Sequence, residues 1–248
     1  LATPGLRPAP GPWAGEGVGT RIRAERLSMD SRGSVNASSS SALRGGDIDV
    51  DVDDVQILGG SNVIASALGT GDGGNVQVRA ETVRVSGVHP QAFVDVTGKE
   101  TLSPSGIASQ AGTSTGSAGD VVLDADKVEI LDGGRLTAET FGHGDGGNVV
   151  LTAGEVVVSG VNPALDAFGK SHRFSRDVAR SKIASASSSG TLGEELTGKP
   201  GDIRIRAGLL RVTGGVMLSS ETTTRGTGGD IRVEAERVCI EDGAIVSA

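Results

Sequence analysis

The stretch GGNVQVRAETVRV at residues 73–85 decides the fold, because close copies of it recur along the chain. The clearest copies are GGDIDVDVDDVQI at 45–57, GGNVVLTAGEVVV at 146–158 and GGDIRVEAERVCI at 228–240. Variants begin near Gly119 and Gly201, and a degenerate copy lies near Gly19. Self-similarity at a fixed spacing is the signature of a repeat architecture, in which each repeat packs on its neighbours.

The residue after the two glycines serves as the anchor of each repeat. The anchors are Gly19, Asp47, Asn75, Asp120, Asn148, Asp202 and Asp230. Four of the six steps between them are 28 residues, and the other two are 45 and 54, which indicates one coil plus an insertion. We expect the glycine before each anchor to supply backbone angles that other residues resist. We expect the anchor side chains to bond turn amides and to form a ladder along the stack.

Apolar residues keep fixed offsets from the anchors. Offset three holds Ile22, Val50, Val78, Leu123, Leu151, Ile205 and Val233. Offsets eight and ten are equally regular, for example Val83 and Val85, and offset five is alanine in six of seven copies. A further apolar series at offset sixteen includes Val35, Val63, Leu136, Leu218 and Val246, with Ile107 and Ile183 once the insertions are skipped. The local period of two predicts strands rather than helices.

Three short strands per 28 residues, separated by glycine-rich turns, predict an all-β fold: a right-handed parallel β-helix, a single-stranded solenoid of about seven coils with two loop insertions. Equivalent residues of successive coils should stack about 4.8 Å apart. A β-propeller blade needs about 40–50 residues, and the leucine-rich and helical repeat patterns do not occur in the sequence.

The chain divides into an irregular proline-rich segment at 1–14 and a β-helix domain at 15–248. Insertions are predicted at about 88–105, 162–181 and 191–200. The first two follow similar words, VSGVHP and VSGVNP, and return through PSGIAS and RSKIAS, so both should project from the same edge, two coils apart. The missing signal peptide and an open final coil at Ala248 favour a fragment of a longer array, with further coils downstream.

The amino-acid composition and charge argue against nucleic-acid binding and membrane insertion. Tyr is absent, only 2% of residues are aromatic, and the formal net charge is −8. Phosphate binding needs clustered Lys and Arg, so nucleic acid is not an expected partner. No stretch reaches the roughly 18 apolar residues needed to span a bilayer, so membrane insertion is not expected either. The single cysteine, Cys239, permits no internal disulfide and lies at an outward offset.

The words GGRLTAETFGHGDGGNVVLTA at 133–153, PSGIAS at 104–109 and GGDIRVEAERVCIEDGAIVSA at 228–248 carry a family resemblance. The chain after about residue 15 resembles the repeat region of filamentous-haemagglutinin-like passengers of two-partner secretion systems, especially the type abundant in cyanobacteria. The resemblance implies export through an outer-membrane barrel transporter and an extracellular or outer cell-surface location. It also implies a role in adhesion, with a glycan or protein receptor, and it transfers no residue-level site.

Two motifs suggest ligands and also have structural explanations. Asp47, Asp49, Asp51 and Asp53 alternate with apolar residues, so they line one strand face as weak candidates for calcium. Carboxylates on one strand face lie about 7 Å apart, which favours a solvated acidic stripe. The glycines at 69–74 and 142–147 match G-x-G-x-x-G, but a dinucleotide site needs a helix after them, and strands are predicted. We therefore predict no cofactor.

Catalysis is not predicted. Polysaccharide lyases and hydrolases share this fold and form the alternative, but they need clustered carboxylates or an acidic metal site on adjacent coils. The outward positions of neighbouring coils show no such pair. His89, His143 and His172 have no partners at zinc-ligand spacing. A purely structural spacer is the second alternative.

Three of the four phenylalanines lie in the predicted insertions. Phe93, Phe168 and Phe174 all fall inside them, where they either fold the loops back onto the sheet or offer apolar contacts to a partner. The sequence therefore predicts a non-catalytic surface segment for display or adhesion, with Phe93, Phe168 and Phe174 as partner-binding candidates.

Overall fold

The computed structural model describes residues 19–91, 93–94, 100–112, 115–161, 180–187, 197–222 and 227–248. The predicted segment 1–14 lies outside these residues. The described chain is all-β, without helix. Its strands are β1 (Thr20–Met29), β2 (Ser34–Asn36), β3 (Ile48–Leu58), β4 (Asn62–Ala67), β5 (Val76–Ser86), β6 (Phe93–Val94), β7 (Glu100–Thr101), β8 (Gly106–Ala111), β9 (Val121–Leu131), β10 (Arg135–Thr140), β11 (Val149–Ser159), β12 (Lys182–Ser187), β13 (Ile203–Thr213), β14 (Met217–Thr222), β15 (Ile231–Ile240) and β16 (Ile245–Ser247).

Fourteen of these strands form two parallel sheets of seven strands each. The long-strand sheet has the order β1-β3-β5-β9-β11-β13-β15, and the short-strand sheet has the order β2-β4-β8-β10-β12-β14-β16. The chain alternates between the two sheets and pairs each strand with its equivalent in the next repeat. This topology is that of a β-helix or solenoid-like fold.

The pairing register confirms the sequence offsets. Val50 pairs with Val78, Val78 with Leu123, and Leu123 with Leu151. The steps of 45 and 54 residues are absorbed outside the strands, because Val78–Leu123 and Leu151–Ile205 pair as the 28-residue steps do. In the short-strand sheet, the predicted offset-sixteen residues pair in one row: Val35, Val63, Ile107, Leu136, Ile183, Leu218 and Val246.

Each repeat contains two strands where three were predicted, because the first two run together. In β9 the buried positions are Val121, Leu123 and Ala125, followed by Val128 and Ile130, so the alternation slips by one residue at Asp126. The pairing between β5 and β9 also skips Glu81 and Asp126. The long strands therefore bend at offset six, and the small alanine at offset five fills the inner side of that bend.

The core is a continuous column of aliphatic side chains between the two sheets. Leu123 is 1% exposed, and Ile130, Leu136 and Leu151 are fully buried. The column opens at the last coil, where core-side residues such as Val238 and Val246 are 45% and 42% exposed. A rung cannot bury its own inward side chains, so burial of each layer depends on the layer stacked upon it.

The glycines before the anchors have a different purpose from the predicted one. The structure's positive-φ glycines do not include Gly74, Gly119 or Gly147, so an unusual backbone angle is not the reason for glycine there. A Cβ on Gly119 would overlap the backbone carbonyl of Gly74, and a Cβ on Gly147 would overlap that of Gly119. Glycine is needed because the turns of successive coils touch backbone to backbone.

The anchors form the predicted ladder. The Asn75 N–H donates to Asp47 Oδ1 at 2.7 Å, and the Asp120 N–H donates to Asn75 Oδ1 at 2.9 Å. The same bond links Asn148 to Asp120 at 2.8 Å and Asp202 to Asn148 at 3.0 Å. Side-chain oxygens thereby satisfy turn amides that the strands leave unpaired, which would otherwise cost about 1–3 kcal/mol each if buried.

The central strands of the short-strand sheet are buried on both faces, whereas β2 and β16 at its ends are exposed or half-buried. Ile183 lies in the core, and its outward neighbour Ala184 is 1% exposed. On the same outward face, Lys182 Nζ lies 2.6 Å from Glu139 Oε1, with side-chain exposures of 16% and 10%. The long-strand sheet differs, because its outward residues are largely half-buried or exposed. Ligands from solvent therefore meet the long-strand sheet and the turns.

Core stacking predicts a sharp contrast between two adjacent residues. Replacing Leu123 with Ala should destabilise the protein by about 2–5 kcal/mol, because the lost side chain leaves a cavity between its stacked neighbours. Val122→Ala, on the outward face of the same strand, should cost less than about 1 kcal/mol. Urea unfolding followed by circular dichroism measures both, and equal losses would contradict the assignment of the two faces.

Candidate functional site

Two of the insertions begin at the same end of the long strands, the C-terminal end. They follow Ser86 of β5 and Ser159 of β11, which both pair with Leu131 of the strand between them. Each is closed at its base by one antiparallel bridge, Val88 with Pro104 and Val161 with Arg180. The chain therefore presents two segments, two strands apart, from equivalent points of the scaffold.

A buried serine clamps the foot of each insertion. Ser105 Oγ donates to the Ser86 carbonyl at 2.7 Å and accepts the Gly60 N–H at 2.9 Å. Ser181 Oγ repeats the arrangement, donating to the Ser159 carbonyl at 2.7 Å and accepting the N–H of Gly133 at 3.0 Å. Both serines are fully buried. The hydroxyl joins the returning strand to the strand that the insertion left, so the coil closes whatever length intervenes.

These clamps were not predicted, although the sequence holds the signal. Ser105 and Ser181 each stand two residues before a core isoleucine, in the words PSGIAS and RSKIAS. Only the fold shows that these serines meet the end of a strand about twenty residues earlier, 19 residues for Ser105 and 22 for Ser181.

The aromatic partner-binding candidates fall only partly within the described chain. The backbone of Phe93 belongs to β6, which pairs antiparallel with β7 through Phe93 and Thr101. Phe168 and Phe174 lie outside the described residues, as do residues 191–196 of the third insertion. Their proposed contacts with a partner stay a prediction.

The acidic row is spread among separate partners. Asp47 belongs to the anchor ladder and contacts Arg44 at 2.7 Å. Asp49 lies between two guanidinium groups, with Arg21 at 3.0 Å and Arg79 at 2.7 Å. Asp51 faces Arg23 at 3.9 Å, and Asp53 is exposed at the bend of the strand.

Asp54, next to this row, is the most fully engaged carboxylate of the strand. Its oxygens accept hydrogen bonds from Thr82 Oγ1 at 2.6 Å, Arg26 Nε at 2.9 Å and Gln56 Nε2 at 3.0 Å. Donation from Thr82, with smaller contributions from Gln56 and Arg26, lowers the pKa of Asp54 against the opposing effect of burial. Thr82 and Arg26 lie on the strands either side of Asp54, so the carboxylate ties three coils together.

The aspartates therefore pair with arginines of neighbouring coils, and their carboxylates do not converge on one point. Among the described residues, no group of three or more His, Cys, Asp and Glu side chains is placed to hold a metal ion. The carboxylates of Asp49 and Asp51 instead face arginines of β1, one for one. Exposed ion pairs contribute about 0.2–1 kcal/mol each, so the set of them favours one register between β1 and β3.

The remaining sequence motifs have structural explanations. Both G-x-G-x-x-G stretches are turns, and each is followed by a strand, β5 or β11, so neither has the helix that a pyrophosphate site needs. His143 is exposed in such a turn, and His89 Nδ1 contacts the backbone of Gln91. Cys239 is a free, partly exposed thiol on the outward face, paired in register with Arg211.

A shallow cleft lies near the other end of the same outward face. Val150 and Thr152 of β11 line it beside Arg204 and Arg206 of β13, with Arg232 and Glu234 of β15 beyond them. Arg206 Nη2 contacts Glu234 at 2.9 Å, and Arg232 Nε contacts the same carboxylate at 3.0 Å. Donation from Arg206, together with the charges of Arg206 and Arg232, lowers the pKa of Glu234. The sequence analysis did not identify this cleft.

Comparison with known proteins leaves the class of protein to rest on fold and site alone. No family model, no curated protein and no solved structure matches the chain. In the part of the chain that the structure describes, no helix is long and apolar enough to cross a membrane.

The hydrogen bonds of Asp54 predict a pH-dependent contribution to stability. Because the folded pKa lies below its ordinary value of 3.8, Asp54 stabilises the fold above that pH, and the contribution is lost as pH falls through the folded pKa. Asp54→Asn should therefore be less stable than the parent at pH 7, by up to about 1 kcal/mol. The deficit should shrink in acid.

Urea unfolding at several values between pH 7 and pH 2 measures this difference. Asp53→Asn removes the neighbouring charge at the exposed bend and controls for net charge. A deficit for Asp54→Asn that stays constant down to the lowest pH would contradict the assigned hydrogen bonds.

Proposed function

We propose that the chain is a non-catalytic segment of a cell-surface β-helical protein, which displays its insertions for adhesion. The observation that carries the proposal is the pair of equivalent insertions, each closed by a buried serine while the strands on either side keep their register. Binding residues concentrate on loops carried by a rigid scaffold. A scaffold that lengthens its loops twice at one edge without disturbing its core is suited to that use.

The finer architecture belongs to the same proposal. We take the solenoid to be right-handed, on the handedness preference of parallel crossover connections, and to have about seven coils of 28 residues. We assign the chain to the filamentous-haemagglutinin-like passengers of two-partner secretion because of its repeated sequence motifs. That assignment brings export through an outer-membrane barrel transporter, an extracellular or outer cell-surface location, and a surface glycan or protein as receptor.

Two alternative functions can be tested by experiment. A carbohydrate-active enzyme on this fold needs carboxylates aimed at one bond, whereas those of Asp49 and Asp54 are engaged by arginines and hydroxyls of neighbouring strands. A pure spacer needs only the stacked coils, and for it the insertions are dispensable. Release of reducing ends from polysaccharides tests the first alternative.

Replacing the insertions separates adhesion from spacing. In the test variant, residues 92–99 and 162–179 give way to short Gly-Ser linkers, and Val88, Pro104, Val161 and Arg180 are kept so that both bases still close. The parent should bind a subset of a glycan array or of surface proteins, and the variant should lose that binding because the contacting residues are gone.

The matched control is Ser105→Ala with Ser181→Ala, which loosens the insertions without deleting them and should weaken binding less. Circular dichroism confirms that every variant keeps its strands. A parent that binds nothing, or a variant that binds as the parent does, would refute adhesion by the insertions and leave the spacer.

A further inference from the structure

The outward face of the long-strand sheet carries a basic strand in an acidic protein. The chain has a net charge of −8, yet β13 carries Arg204, Arg206 and Arg211 and no acidic residue. All three side chains point outward, since they alternate with buried core residues. Of its two neighbours, β11 contributes a single charge, Glu155, and β15 contributes Arg232 and Arg237 together with Glu234 and Glu236.

These arginines are paired differently from those at the other end of the sheet. On β1, Arg21, Arg23 and Arg26 each face one aspartate of β3 in register, and one of these aspartates, Asp49, also contacts Arg79. Around the cleft, by contrast, three guanidinium groups share two carboxylates within the described chain. Arg204 contacts Asp202 at 2.6 Å, and Arg206 and Arg232 both contact Glu234.

Positive charge therefore stays accessible at the cleft. The side chains of Arg204, Arg206 and Arg232 are 53%, 74% and 73% exposed. The arginines of β1 are similarly exposed, at 62%, 50% and 66%, so the two groups differ in their carboxylate partners and not in their exposure. Guanidinium groups that are solvated and only partly neutralised are available to a further anion.

The floor of the cleft is set by short side chains. Val150 and Thr152 stand in register with Arg204 and Arg206, one strand away. Val122 and Asp124 on the next strand lie outside the residues that line the cleft. The cleft is a trough of about 370 Å³ along the stack, with arginines on one side. A trough open to solvent admits an extended chain that enters and leaves, in contrast to an enclosed pocket for a small molecule.

The chemistry of the cleft favours an acidic glycan. Guanidinium groups bind carboxylate and sulfate through paired, planar hydrogen bonds. Nucleic acid fits less well, because duplex DNA carries one charge per about 1.7 Å and phosphate binding needs more clustered Lys and Arg than this cleft supplies. The residues that line the cleft include no aromatic ring on which a base could stack.

We propose that this cleft binds an acidic polysaccharide, a glycan whose sugars carry carboxylate or sulfate groups, with Arg204, Arg206 and Arg232 as the binding residues. The site lies on the rigid sheet and includes neither insertion, so it goes beyond the adhesive function proposed above.

Two triple variants of the full chain test the proposal. Arg204→Gln, Arg206→Gln and Arg232→Gln remove the cleft charges, and Arg21→Gln, Arg23→Gln and Arg26→Gln remove the same charge from the other end of the face. Isothermal titration with polygalacturonate and dextran sulfate should show binding by the parent that weakens as salt rises. The cleft variant should bind about tenfold more weakly or worse, and the control variant should stay within about twofold of the parent.

A check of the fold and a single-substitution variant make the result decisive. Circular dichroism checks the fold of both triple variants, and Arg204→Gln alone, a single exposed change, should still weaken binding about threefold. The proposal is overturned by absent binding to both glycans, by equal losses in the two triple variants, or by equally tight binding of neutral dextran or single-stranded DNA. If only the insertion variant loses glycan binding, the cleft is refuted and adhesion by the insertions stands.

Discussion

The structure depends on one constraint: each coil must present the same side chain at the same offset as the coil below it. Parallel strands lie about 4.8 Å apart, so a side chain of the wrong size or polarity is felt at once by its neighbours in the stack. The row from Val50 through Val78 and Leu123 to Leu151 meets this constraint with aliphatic residues alone. Among the described residues, the buried core contains no aromatic side chain.

The turns meet the same constraint with hydrogen-bonding side chains and with glycines that leave room for a neighbouring backbone. At the anchors, an Asp or Asn oxygen accepts the amide of the next coil, and one residue earlier glycine allows two backbones to touch. At the feet of the insertions, Ser105 and Ser181 make the same pair of hydrogen bonds despite the different segments that they follow. Length variation is therefore confined to segments whose ends are held by one hydrogen bond within the coil and one to the preceding coil.

The sequence predicted most of the scaffold because its information is periodic. The offsets of Leu123, Leu136 and their equivalents follow from the repeat alone, and the structure confirms their register and burial. The two insertions also follow, since a repeat that resumes after a longer step must have looped out the difference. The merging of two predicted strands into one was missed, because the shift in alternation at offset six, which is Asp126 in β9 and Gly154 in β11, resembles a strand end in the sequence although the pairing continues across it.

The contacts that concern function were harder to predict because they join different coils. The repeat spacing places Arg21 beside Asp49, but the second contact of Asp49, with Arg79, depends on the path of a long side chain across the sheet. Likewise, Arg204, Arg206 and Arg232 look unremarkable in the sequence, and the cleft exists only because Val150 and Thr152 beside them are short. The reason for glycine before the anchors was predicted wrongly, because a contact with the preceding turn is invisible in any single repeat.

Spin labels at equivalent outward positions test the stacking most directly. In a Cys239→Ser background, labels replace Gln77 and Val122, 45 residues apart, or Val150 and Arg204, 54 residues apart; each pair spans an insertion and is paired in register. Stacked coils hold such positions about 5 Å apart, so both doubly labelled proteins should show strong dipolar broadening of their electron paramagnetic resonance spectra. Spectra equal to the sums of the singly labelled proteins would contradict the stacking on which the account rests.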